Sequence, residues 1–483
     1  MARIQGRVLE TFPPLVVDLD GTLLRSDLLM ETAMAFVRSQ PLKAFKVLGW
    51  LFKDKAALKE GLALNTEIDV SVLPYDPQII EMIQREKASG RMVVLATASH
   101  VSLAERIAEH LQLFDLVLAS NTNRNLSGPH KRDLLVAHFG EGGFDYIGNS
   151  KDDLPIWKVS RQAYVVNPDS GVESRVEAMT QVEPTLHTNT PALRDWRKAL
   201  RLHQWLKNAL IFVPLLASHR LAQLDLMRDG VIAFLCFGLC ASSVYVLNDL
   251  LDLCDDRHHK SKCNRPFASG RLSIKAGLML VPTLLIVSFG AALLLLPWQF
   301  AAVMAAYYGL TLAYSLKLKR LMAWDVIVLA MLYTARIIAG VAAFNLTLTF
   351  WILAFSMFIF LSLAMVKRYA ELRDARAREV NTFARGRGYY PGDLDMIASL
   401  GASSGYLAVM VLALYIQDAK TTELYVTPHV IWLACPLLLF WVTRVWMLTH
   451  RGQMNEDPVV FAIRDRTSQL IGVAFLLMFW IAA

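Results

Sequence analysis

The apolar runs of this 483-residue chain come in two lengths, and the change from short to long near residue 170 is what most constrains its fold. Before that point they are short and β-branched: PLVVD (14–18), RMVVLA (91–96), DLVLAS (115–120), DYIG (145–148) and AYVVN (163–167). Helically spaced stretches separate them, so residues 1–170 are expected to form an α/β doubly wound parallel sheet. After that point, runs of roughly 18 or more apolar residues appear, long enough to cross about 30 Å of hydrocarbon. They lie near 204–219, 229–248, 276–296, 298–315, 322–343, 348–366, 398–416, 427–447 and 467–483. The expectation for 196–483 is an all-α multi-pass membrane bundle of about nine transmembrane helices, with 171–195 as a polar linker.

Charge distribution supports an orientation. The N-terminal MARIQGRVLETFPPLVVDLDG has no apolar core of signal-peptide length, so the first domain is expected in the cytoplasm. Segments 249–275, 316–321, 367–397 and 448–466 then also face the cytoplasm, and they hold nearly all the Lys and Arg between spans. The reading is a cell (inner) membrane protein, and an odd span count places Ala483 outside. The net charge of +7 reports this topology and implies no nucleic acid partner. Five cysteines without a CxxC pair argue against a disulfide framework or a zinc site.

Two sets of carboxylates carry the chemistry. VVDLDGTLL puts Asp18 and Asp20 directly after the first strand, where α/β sheets build their sites. The second strand runs into Thr97, GPHKRDLL supplies Lys131, and YIGNSKDDLPIW ends another strand in Asn149, Asp152 and Asp153. This order, over residues 12–170, resembles the haloacid dehalogenase (HAD) superfamily. The resemblance implies Asp18 as a nucleophile toward phosphorus and Asp20 as general acid/base. It also implies phosphate binding by Thr97 and Lys131, Mg²⁺ held by Asp18, Asp20, Asn149 and Asp153, and a helical cap over about 27–85. Asn149 departs from the family, whose phosphatases have Asp there, and an amide oxygen brings less charge to a metal.

The second set lies in VYVLNDLLDLCDDRHHKSKCNRP, at the end of an apolar run. Asp249, Asp252 and Asp256 are spaced by three and four residues, so on one helix they share a face, with Asp255 pointing elsewhere. Clustered carboxylates beside a bilayer call for a cation, and Mg²⁺ carrying a diphosphate is the economical partner, with Lys262 and Arg265 in reach of the same anion. The run from Asn248 to Asp256 resembles the UbiA superfamily of intramembrane prenyltransferases, over residues 195–483. That resemblance implies contact with the donor from Asn248, and from Tyr314 and Lys317 of YSLKLKR.

UbiA-type aromatic prenyltransferases carry a second acidic motif after the sixth span. Here MVKRYAEL offers Lys367, Arg368 and only Glu371, followed by Arg387 and Tyr389 of RGRGYY. With HQWLKN (Lys207, Asn208) opening the first span, the pattern resembles decaprenyl-phosphate phosphoribosyltransferases. Phosphoribosyl diphosphate is then the expected donor and a polyprenyl phosphate the lipid acceptor. Lys207, Lys367, Arg368 and Arg387 become candidates for holding phosphomonoesters, and the fused HAD-like domain for removing the 5-phosphate. Transfer of an isoprenoid from a prenyl diphosphate to a small acceptor is the alternative. A transporter or scaffold with a regulatory HAD-like domain is a further one.

Overall fold

The computed structural model describes residues 12–482 apart from 44, 54, 122–123, 180–182, 378–387, 419–424 and 455–456. It forms two compact units: one from residues up to Leu200 together with Tyr245–Val281, the other from Arg201–Val244 and Pro282 onward. The division does not follow the chain, because the segment carrying Asp249, Asp252 and Asp256 belongs to the first unit.

The first unit contains the expected parallel sheet. Strands β1 (Leu15–Val17), β2 (Val93–His100), β3 (Leu116–Ser120), β4 (Asp145–Gly148) and β5 (Gln162–Val165) are ordered β3-β2-β1-β4-β5. Side-chain alternation along β1 fills both faces: Leu15 and Val17 pack with Leu95, Ile79 and Ile107, while Val16 packs with Val94, Tyr146 and Trp157. The helix Pro77–Ala88, capped by Asp76, places Ile79 and Ile83 in the first of these layers. The insert proper is therefore shorter than 27–85, consisting of helices Leu28–Ser39, Phe45–Lys53 and Lys55–Asn65 around Phe36, Leu58 and Leu62.

In the same unit, Val246, Leu250, Leu253, Phe267 and Leu272 form a cluster with Ala199, against which Met30 and Met34 of the first insert helix pack. That apolar contact holds the carboxylate segment against the insert.

Among the described residues, six helices are long and apolar enough to cross a membrane: Leu224–Leu251, Ile274–Leu295, Trp324–Ala343, Phe350–Arg376, Pro391–Gln417 and His429–His450. Six of the nine expected spans meet that measure, and the other three expected runs fall short of it. Residues 204–219 form a 3₁₀ segment, Leu202–Phe212, and a short helix, Val213–Ala217, that begins at a proline. Trp298–Leu316 is a helix of 19 residues, but Gln299, Tyr307, Tyr308 and Tyr314 dilute its apolar character. The last run forms Arg466–Ala482, of 17 residues.

The second unit packs around Tyr333, Phe360, Leu412, Trp441 and Val459. A Cβ at position 340 would stand 2.0 Å from the Ile211 carbonyl oxygen, so only glycine permits this approach of the Trp324–Ala343 helix to the 3₁₀ segment.

Candidate functional site

The carboxyl ends of β1, β2 and β4 gather the first set of residues. Asp18 follows β1 directly, and Gly21, at φ +78°, turns the chain back under Asn149. The buried Lys131 ammonium donates to Asp18 Oδ1 at 2.7 Å and to the Tyr146 hydroxyl at 3.0 Å, and lies 3.6 Å from Asp153. Asp153 is saturated. Its Oδ1 accepts from Tyr146 at 2.7 Å, and its Oδ2 accepts from the Asn149 and Ser150 amides and from Ser150 Oγ at 3.0–3.2 Å. Asp20 accepts from the Leu28 amide and from Ser99 Oγ, both at 2.7 Å. Thr97, fully buried within β2, accepts from the Ser99 amide, and Asn149 accepts a long 3.4 Å bond from Thr22.

The electrostatics follow from burial. Asp18 is pushed up to about 7 by loss of water, with the Lys131 charge opposing. Asp20 is pushed up to about 6 by burial and then by Asp27, against the Leu28 and Ser99 hydrogen bonds. A carboxyl that keeps its proton near neutrality suits a general acid. Sequence reasoning missed three participants. Tyr146 and Ser99 were hidden as ordinary strand residues, and Lys59 reaches from the insert to the Ala98 carbonyl at 2.6 Å and lowers the Asp20 pKa.

The second set is arranged differently from the expected single face. The helix ends at Leu251 and restarts at Leu253 with Asp252 as the break, so the three-and-four spacing does not run along one helix. Asp249 and Asp256, both buried, converge on one nitrogen of Arg265 at 3.0 and 2.6 Å. Asp252 instead pairs with Arg38 of the insert, which also holds the exposed Asp255 at 3.1 Å. Burial raises the Asp256 pKa, against the opposing charge of Arg265. Lys262 is exposed and Asn248 half-buried, with its carbonyl accepting from the Asp252 amide. Beside them, Arg257 forms a two-pronged buried ion pair with Glu31 of the insert, at 2.6 and 3.0 Å, and Ser26 adds a 2.6 Å bond to the same carboxylate. Neither Glu31 nor Arg257 was singled out from sequence; a lone Glu in the apolar helix LLMETAMAF was the available signal.

In the second unit, Lys207 and Lys367 share Asp457 Oδ2 at 2.7 and 3.3 Å, and the Tyr333 hydroxyl donates to the same carboxylate. Burial pushes the Asp457 pKa up, but the Lys367 and Lys207 charges prevail and hold it well below the usual carboxylate range. Asn208 accepts from Arg336 Nε at 3.0 Å, whereas its buried Nδ2 has no hydrogen-bond partner among the described residues. Arg336, a cation within a membrane-spanning helix, stacks on Phe237, Tyr307 and Tyr333. Asp457 and Arg336 were both missed from sequence.

Arg368 is fully buried, ion-paired to Asp325 at 2.7 Å and to Glu371, with its guanidinium 6.0 Å from the Tyr389 ring. Tyr314 donates to Asp325 at 2.7 Å, and the Tyr389 hydroxyl accepts from the Ala323 amide. Asp325 and Glu371 balance the Arg368 charge, while its Nε and Nη2 have no hydrogen-bond partner among the described residues. Lys317 is exposed at a helix end, and Arg387 lies outside the described residues.

No group of three or more His, Cys, Asp or Glu among the described residues is placed to hold a metal ion. The donor chemistry nevertheless fits Mg²⁺: hard oxygens, buried in pairs, with a cationic nitrogen between them in each set.

Residues 210–481 match the UbiA prenyltransferase family, and residues 15–158 match haloacid dehalogenase-like hydrolases. The Sinorhizobium fredii protein y4nM is 37% identical over 95% of this chain and 89% of its own length. Nodulation protein NoeC of Azorhizobium caulinodans is 37% identical over 58% of this chain and 92% of its own. Decaprenyl-phosphate phosphoribosyltransferase of Mycobacterium tuberculosis is 29% identical over 58% of this chain and 91% of its own.

Proposed function

Because the chain belongs to the UbiA prenyltransferase family and carries an N-terminal HAD-like domain, we propose that it moves phosphoribose from phosphoribosyl diphosphate onto a polyprenyl phosphate. The HAD-like domain then removes the 5-phosphate. The observation that carries this reading is the group around Asp457. Two lysines share one carboxylate, and the amide next to Lys207 in sequence offers a buried donor with no partner among the described residues. Uncompensated cations and an unpaired donor away from water are costly until an anion joins them, and a phosphomonoester supplies the charge and the acceptors. The similarity to a decaprenyl-phosphate phosphoribosyltransferase supports the same donor and acceptor classes.

Asp249 and Asp256, with Asp252 as third candidate, would hold Mg²⁺ in the transferase, and Asp18, Asp20 and Asn149 in the HAD-like domain. Bound there, Mg²⁺ neutralises the diphosphate leaving group or the attacked phosphoryl group. In transfer, Arg265 and Lys262 take up charge on the departing diphosphate, while Lys207 and Lys367 hold a phosphomonoester. The lipid phosphate oxygen bonds to ribose C1 as the C1–diphosphate bond breaks, so no side-chain nucleophile is needed. In the HAD-like domain, Asp18 bonds to phosphorus and the ribose 5-oxygen leaves with the proton from Asp20. Water then attacks the acyl phosphate and returns a proton to Asp20. Asp153, its oxygens taken up by Tyr146, Asn149 and Ser150, positions Lys131.

The test is incubation of the purified protein with labelled phosphoribosyl diphosphate, Mg²⁺ and a polyprenyl phosphate. Label is expected in the organic phase, with inorganic phosphate released only when both substrates are present. Label moving only from a prenyl diphosphate to a small acceptor would establish the alternative.

A further inference from the structure

The insert carries an apolar face that its own domain leaves uncovered. On the inner side of the helix Phe45–Lys53, Val47 and Trp50 pack on Phe36, Leu58 and Leu62, with the Trp50 ring 5.3 Å from Phe36. On the outer side, Phe45 and Phe52 are 67% and 88% exposed with Gly49 between them facing open space, and Leu42, in the preceding 3₁₀ turn Pro41–Lys43, is 89% exposed. Positions 45, 49 and 52 are spaced by four and three residues, a single stripe on this helix. Two phenylalanines on one stripe, with a leucine in the turn before it, are a patch and not scattered surface residues.

The charges around the stripe identify what covers it. Residues 41–53 contain Lys43, Lys46 and Lys53 and no acidic residue. Aromatic and leucine side chains on one face with flanking lysines are the composition of a helix that lies in the headgroup region of an anionic bilayer. Each lysine near such a surface strengthens attachment about fivefold. A protein partner would more often present acidic side chains here, but a chain with six helices long and apolar enough to cross a membrane among its described residues has lipid at hand.

We propose that Leu42, Phe45 and Phe52 form an interfacial anchor that seats the insert of the HAD-like domain in an anionic lipid surface. The anchor holds whichever polyprenyl donor or acceptor the membrane half uses, so it stands independently of the reaction assigned above. It also gives the insert a purpose that a cap over a water-soluble substrate would not need.

The experiment places the photo-cross-linker p-benzoylphenylalanine at Phe45 or Phe52 of the full chain, in nanodiscs of phosphatidylglycerol and phosphatidylcholine. Adducts are identified by mass, with the linker at the exposed Glu81 as control. Lipid adducts at 45 and 52 are expected at least about fivefold above those at 81. They should fall about fivefold or more in phosphatidylcholine alone and in the Lys43→Glu/Lys46→Glu variant. Adducts joining two protein chains would mean that a second copy covers the patch. Lipid adducts no greater than at Glu81 would mean that nothing does. Either result overturns the anchor.

Discussion

In each carboxylate set one cation grips two buried members, Lys131 for Asp18 and Asp153, Arg265 for Asp249 and Asp256, yet the grips differ in kind. Lys131 is itself buried and is fixed by Asp18, Tyr146 and the hydrogen-bonded Asp153 behind them. Arg265 is more than a quarter exposed, stands just past a 3₁₀ turn, and holds Asp249 and Asp256 through one nitrogen. Under the proposed function the first arrangement would keep its cation through a reaction, as a lysine that steadies a nucleophile must. The second would give its carboxylates up to a metal more readily. Pre-organisation and replaceability are thus written into how many partners each cation has.

The widest gap between the two sets should appear in activity. Asp18→Asn should lower phosphate release by about four orders of magnitude, because an amide forms no acyl phosphate. Transfer of label into lipid should continue and the 5-phosphorylated product accumulate. Asp249→Ala should do the reverse, cutting transfer by about a thousandfold while hydrolysis of a small phosphate ester persists. If either substitution stopped both activities, the two sets would be one site and the contrast would fail.

Stability should separate the two cations next. Lys131→Met strands two buried carboxylates and should cost about 3–5 kcal/mol in thermal or denaturant unfolding without Mg²⁺. Arg265→Gln should cost about 1–2 kcal/mol, since water reaches the vacated pair. Added Mg²⁺ should recover more of the loss in Arg265→Gln than in Lys131→Met. Equal losses, or no difference in recovery, would break the distinction.

A smaller effect is expected with pH. Asp18 and Asp20 have folded pKa values raised to about 7 and about 6 by burial. Folding therefore binds protons, and the stability these groups contribute is fully present below about pH 4 and lost as pH rises through 6 to 7. In chelator, melting temperature should decline from pH 5 to pH 8, and Asp18→Asn should flatten that decline. Smallest of all, Asn149→Asp should raise phosphate release a few-fold by strengthening Mg²⁺ ligation.

The HAD-like sheet and its acids were legible because Asp18 and Asp20 follow one short apolar strand and Asn149 and Asp153 another, and strand ends position side chains without long-range help. The membrane half was legible only as apolar length. HQWLKNALIFVPLLASH is apolar enough to span, but Pro214 and the inward-turned Lys207 and Asn208 make it a 3₁₀ segment and a short helix. Asp457 lies 250 residues from the lysine it holds, and Arg336 looked like one blemish in a span. The pairing of Asp252 with Arg38 was not legible for a local reason, since nothing in DLLDLCDD announces that the helix breaks there.

The pair between Glu31 and Arg257 also bears on how the protein is made. Its partners are 226 residues apart, and the residues between them include the first long apolar helix. At about 5–20 residues per second, roughly 10–45 s of synthesis separate the two charges. During that interval the N-terminal domain holds a carboxylate shaped for a guanidinium not yet made, beside apolar side chains whose cover has not arrived. Completion of the first unit thus waits on synthesis of the first long apolar helix and the segment after it. A nascent chain that stalls before that point carries an unfinished surface, the kind that chaperones and proteases recognise.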